Sequence, residues 1–151
     1  QEQQQQLEMQ STLRTAVYML ETIRNYASRR NSLQSQYESM KRDSRSAKGE
    51  TLATLRRIMN TAEQGLEQFR TGIDRSLSFY RTRVEEAARL DKDDFERALA
   101  GLLKDYAGED LFNENMRRNA ELLRQHVQNE RAGKLPAGRA MLQEILETRS
   151  K

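Results

Sequence analysis

From Leu52 the apolar residues step by three and four without a break: Leu52, Leu55, Met59, Ala62, Leu66, Phe69 and Ile73. Leu77, Tyr80, Val84 and Ala87 continue the row after one extra four-residue step. No proline interrupts it, and Gly65 and Gly72 are its only weak helix formers of note. That spacing predicts one long helix with a single apolar seam over 51–90, roughly 60 Å if unbroken. A helix of this kind cannot bury its own seam, so it needs partners along its length. The extra step after Ile73 is a stutter, which unwinds a supercoil locally and moves the seam sideways. A third helix is expected to meet the long one there.

A second seam precedes it. Leu13, Ala16, Leu20, Ile23 and Ala27 drift into Met19, Ile23, Tyr26, Arg30, Leu33, Tyr37 and Met40, the slow rotation that a straight helix shows against a seven-residue repeat. This predicts a first helix over 7–42, with the stem of Arg30 packing and its guanidinium reaching an acid or solvent. The glutamine-rich residues 1–10 read as a solvated, helical lead-in. Serines, Gly49 and lost periodicity mark residues 43–50 as a loop. A short connection between two long helices makes them antiparallel neighbours.

Beyond residue 90 the pattern shortens. Asp91 reads as an N-cap, with Asp93 and Asp94 in the first turn where the helix dipole favours acids. The alternative is that the long helix runs on through Asp91. Phe95, Ala98, Leu99, Leu102, Leu103 and Tyr106 form the next face, which Gly108 is expected to close. Leu111, Phe112, Met116, Ala120, Leu123 and Val127 form another, closed by Gly133. Residues 134–138 are a loop, and Met141, Leu142, Ile145 and Leu146 lie on a last helix. The predicted fold is therefore all-α: an elongated antiparallel helical bundle built on a long two-helix hairpin, with three shorter C-terminal helices over 91–151. We read it as a single elongated helical domain. The three short helices either cap one end of the hairpin or fold back along it.

Composition agrees. Apolar residues make up 36% and charged residues 32%, which suits helices that each bury only a stripe. The net charge of +3 is small and intermixed, and no segment is a polycation, so nucleic acid is an unlikely partner. There is no cysteine, which excludes disulfides and thiolate chemistry. No apolar run approaches the roughly 18 residues a membrane span needs. The chain begins with Gln rather than Met, which we read as an excised or processed fragment, and processing would make it exported; the compartment, periplasmic or cytoplasmic, stays open.

Catalytic furniture is lacking, and we expect no enzyme, cofactor or metal. The single histidine, His126, has no His or Cys with which to bind zinc, and reads as a surface or boundary residue. No serine lies in an elbow motif. There is no glycine-rich phosphate loop. Asp91, Asp93 and Asp94 lack the glycine and closing glutamate of a calcium loop, so capping is the better reading. Tyr26, Tyr37, Phe69, Tyr80, Phe95, Tyr106 and Phe112 read as core; Tyr18 and Phe79 lie off the rows, and packing is favoured for them over a role as an exposed contact.

One cluster stands out. Antiparallel helices about the first loop bring Lys41, Arg42, Arg45, Lys48, Arg56 and Arg57 to one tip, a candidate surface for an anion or an acidic partner. No interleaved aromatics accompany it, which argues against single-stranded nucleic acid. The overall pattern resembles ligand-sensing helical domains of bacterial receptors, helical periplasmic secretion components and coiled-coil adaptors, without a diagnostic motif of any of them. The expected function is a non-enzymatic helical interaction or scaffolding module, acting through coiled-coil-like packing with a protein partner or with itself. The alternatives are an extracytoplasmic domain of a sensor or secretion apparatus, and a bundle that binds nucleic acid or an anionic membrane surface at its basic tip.

Overall fold

The computed structural model describes residues 2–149; of Arg149 the backbone alone is described. Among these residues there are five α-helices and no strand: α1 (Glu2–Ser44), α2 (Gly49–Ala88), α3 (Lys92–Lys104), α4 (Leu111–Arg131) and α5 (Arg139–Arg149). The fold is all-α, with α1 and α2 packed as the expected hairpin and three shorter helices after it. By its internal contacts the chain divides into two units: Gln1–Thr22 with Ser76–Lys151, and Ile23–Arg75. The division after Arg75 falls at the stutter between Ile73 and Leu77.

The first unit has a closed core. Leu13, Val17 and Leu20 from α1, Tyr80 and Val84 from α2, Phe95, Leu99 and Leu102 from α3, Met116, Leu123 and Val127 from α4, and Met141 and Ile145 from α5 are all essentially without solvent contact. The three short helices therefore bundle with the beginning of α1 and the end of α2.

Three arginines close the helix ends of this unit. Arg131 donates to the carbonyls of Ala88 (3.3 Å) and Leu90 (3.0 Å), with its guanidinium 5.4 Å from the centre of the Phe95 ring. It thereby satisfies carbonyls left over at the end of α2. Helix α2 stops at Ala88, two residues short of the predicted end, and Asp91 then caps α3 by accepting from the amides of Asp93 (3.0 Å) and Asp94 (3.3 Å). Arg117 of α4 donates to the carbonyls of Tyr106 and Gly108 (2.6 Å to the latter). Gly108 is not the left-handed stop expected of it; α3 ends at Lys104, and the positive-φ glycines are Gly49, Gly133 and Gly138. Arg81 holds the last loop through the Pro136 carbonyl (2.7 Å).

The second unit is a bare hairpin. Gly49, at φ +63°, makes the turn into α2. Leu33 lies against Gly65, and the Tyr26 ring against Gly72. Each pair sums to 98, so residue i of α1 faces residue 98−i of α2, and the two glycines, seven apart, are where the large side chains of α1 meet the backbone of α2. The glycines are the cause of the close approach: a Cβ on Gly72 would sit 3.2 Å from the Tyr26 ring.

Candidate interaction surfaces

Two apolar rows meet along the hairpin, but two helices alone cannot enclose them. Leu33, Tyr37, Met40, Leu52, Leu55, Met59, Leu66 and Phe69 are all half-buried, and Ile58 is 48% exposed. Between residues 28 and 72, Ala62 is the only buried side chain. Aromatics expected in a core here, Tyr26, Tyr37 and Phe69, occupy this half-open seam instead; Tyr26 and Phe69 face each other with ring centres 6.3 Å apart. The Tyr37 hydroxyl donates to Glu63 across the hairpin at 2.7 Å, and that bond holds its phenol above the ordinary value. Beside the Tyr26–Gly72 contact lies an open groove of about 500 Å³, lined by Tyr26, Gln64, Glu67, Gln68, Thr71, Gly72 and Arg75.

The six basic residues singled out from the sequence lie at the closed end of this hairpin. Lys41 and Arg42 are in the last turn of α1, where cations are favoured by the helix dipole. Arg45 and Lys48 are in the connection, and Arg56 and Arg57 follow within about 12 Å of the start of α2 at 1.5 Å per residue. All six are exposed. Among the described residues none of them forms a salt bridge, and Arg57 reaches only the Thr54 hydroxyl, at 3.4 Å.

A separate exposed apolar patch lies on the first unit. The Tyr18 ring lies tilted against Phe112, with centres 6.4 Å apart, and Phe112 meets Tyr106 edge-on at 6.2 Å. Phe112 is 51% exposed, contrary to its expected place in the core, and Leu111 beside it is 70% exposed. The reason is the position of both at the first turn of α4, before the helix reaches its neighbours. Tyr18 packs on Phe112, the part favoured for it, and remains 43% exposed. Burial, and after it the neighbouring Tyr18, push the Tyr106 phenol up to about 12. Its oxygen is buried without a well-aligned hydrogen-bond partner.

His126 is not the surface or boundary residue expected. It is fully buried, its Nδ1 lying 2.5 Å from the Tyr80 hydroxyl and its Nε2 3.0 Å from Glu144. A neutral ring satisfies both bonds: Tyr80 donates to Nδ1, and Nε2–H donates to the carboxylate. Burial lowers the imidazole below its ordinary 6.5, while Glu144 pulls it the other way. Tyr80 and His126 have no solvent contact, so this chain ties α2, α4 and α5 together rather than facing a cavity. The sequence carried one signal for it. Asn119 and His126 stand a heptad apart and bracket Leu122 and Leu123, so both share the buried face of α4; Asn119 donates to the Val17 carbonyl and to Glu21, each at 3.2 Å. Among the described residues no cluster of acidic or histidine side chains could hold a metal ion, and no helix is long and apolar enough to cross a membrane.

No family model matches the chain, and no curated protein or solved structure matches it to a significant degree.

Proposed function

We propose that this chain is a non-enzymatic helical interaction or scaffolding module whose working surface is the hairpin of Ile23–Arg75. The observation that carries the reading is the burial of Ala62 alone between residues 28 and 72, in a segment holding nine large apolar side chains from Leu33 to Phe69. An apolar row of that length left half in water gains free energy when another helix lies along it, at about 25 cal/mol per Å² of apolar area covered. Helix-in-groove recognition uses this geometry, with anchors at three- and four-residue spacing. The first unit, by contrast, encloses its main core with its own helices.

The test is association. Light scattering on the chain alone, together with binding assays against amphipathic helices, is expected to show uptake of a helix that Leu55→Gln with Leu66→Gln removes while the helical circular dichroism is kept. A monomer at every concentration that takes up no amphipathic helix contradicts the reading.

The basic tip supports a second reading, binding of an anionic surface, because its six exposed cations form no salt bridge among the described residues. Arg56→Glu with Arg57→Glu is then expected to abolish a salt-sensitive interaction with nucleic acid or acidic vesicles. Absence of any such binding at low salt removes it.

A further inference from the structure

We infer that the occupant of the hairpin seam is an acidic amphipathic helix of another protein, and not a second copy of this chain; the inference rests on the reading of the hairpin as a helix-docking surface. Charge separates the two units. The segment Ile23–Arg75 holds eleven basic and six acidic side chains, a net +5, whereas the rest of the chain holds fifteen and seventeen, a net −2. The near-neutral total thus conceals a basic hairpin. Several of its few acids are already engaged: Glu63 accepts from Tyr37 (2.7 Å), Glu38 from Gln34 (2.7 Å), and Glu67 lies 3.6 Å from Arg70. The cations are not matched in the same way, since among the described residues the six at the tip have no acid within salt-bridge distance.

Position matters as much as number. In the seven-residue frame set by Leu52, Met59, Leu66 and Ile73, Arg56 and Arg70 stand next to the seam residues Leu55 and Phe69, while Glu63, at the same place between them, is held by Tyr37. On α1, Arg29 stands next to Arg30 in the row, and Lys41 next to Met40. Residues at these places face the flanks of any helix laid on the seam, and their charges set which helix is accepted. A second copy brings the same basic flanks and sets like charges face to face, which is destabilising. A helix with Glu or Asp flanking its own apolar stripe meets the cations and covers the seam together. About 20–25 residues of helix suffice to run the length of the α1 arm. The open groove at Tyr26 and Gly72 lies on the same hairpin, with exposed Arg75 and Glu67 both among its lining.

The experiment uses the whole chain and two labelled synthetic helices of identical leucine seam, one flanked by Glu and the other by Lys, with anisotropy as the readout. The Glu-flanked helix is expected to bind, the Lys-flanked one at least about tenfold more weakly, and the difference to shrink as salt rises. Arg56→Glu with Arg70→Glu, both exposed, takes the segment from a net +5 to +1 and is expected to narrow the preference between the two helices without loss of fold. Equal binding of both helices, or self-association of the chain through Leu55 and Leu66, overturns the acidic-partner inference and leaves helix docking standing. No binding of either helix by a chain that stays monomeric overturns both. Tight binding of duplex DNA or anionic vesicles that the Glu-flanked helix fails to displace assigns the charge to another class of partner, and overturns the inference as well.

Discussion

Tyr80, His126 and Glu144 hold three helices through two hydrogen bonds around one buried ring. Removing the phenol oxygen by Tyr80→Phe leaves Nδ1 without its donor, at a cost of about 1–2 kcal/mol in urea unfolding. The pH dependence follows from burial. The folded state holds the imidazole below 6.5, so the unfolded chain takes up the proton first as pH falls. The contribution of His126 is then complete above about 6.5 and is lost as pH drops through that value towards the folded one. Unfolding free energies between pH 5 and 7.5 are expected to fall toward acid in the parent more steeply than in His126→Gln; parallel curves contradict this. Arg131 is the other residue whose role exceeds its exposure. Arg131→Ala removes two charge-assisted bonds to the end of α2, and the loss in stability is expected near 2–3 kcal/mol. These bonds were not legible in the sequence, because a long-range cap has no spacing rule: Arg131 lies 43 residues from Ala88. Asp91 was legible, because its cap is local.

The helices themselves were readable from periodicity, and their ends less so. Helix α1 begins at Glu2 and runs to Ser44, beyond the predicted 7–42 at both ends, since Gln and Glu continue a helix without an apolar row to announce it. The rows on the two long helices gave the hairpin; the stutter, read as the meeting place of a third helix, coincides with the end of the second unit. What the rows could not give was depth of burial: the same three- and four-step spacing describes Leu99, which is enclosed, and Leu55, which is half in water. Depth depends on how many helices surround the row, a tertiary fact. Gly72 offers a test at this scale. Gly72→Leu forces a branched side chain into the Tyr26 ring and is expected to loosen the hairpin while leaving the first unit's core intact, read as faster amide exchange between 23 and 75 alone. Gly49→Ala places a Cβ at φ +63° and is expected to cost about 1 kcal/mol or slightly more through backbone strain.

At the scale of the molecule, the chain places a well-packed helical unit and an under-buried basic hairpin in one sequence. Amides open most readily where few apolar side chains are enclosed, so the hairpin belongs to the low-stability end of the molecule. That contrast is what the interaction reading draws on, and amide hydrogen exchange measures it with and without an added Glu-flanked amphipathic helix. The account predicts fast exchange over 28–72 in the free protein and marked slowing there, from Leu33 to Met40 and from Leu52 to Phe69, when the helix is added, with the amides of Leu99 and Leu123 unchanged. Hairpin amides already as slow as those of Leu99 in the free protein, or protection confined to the other unit, would contradict it.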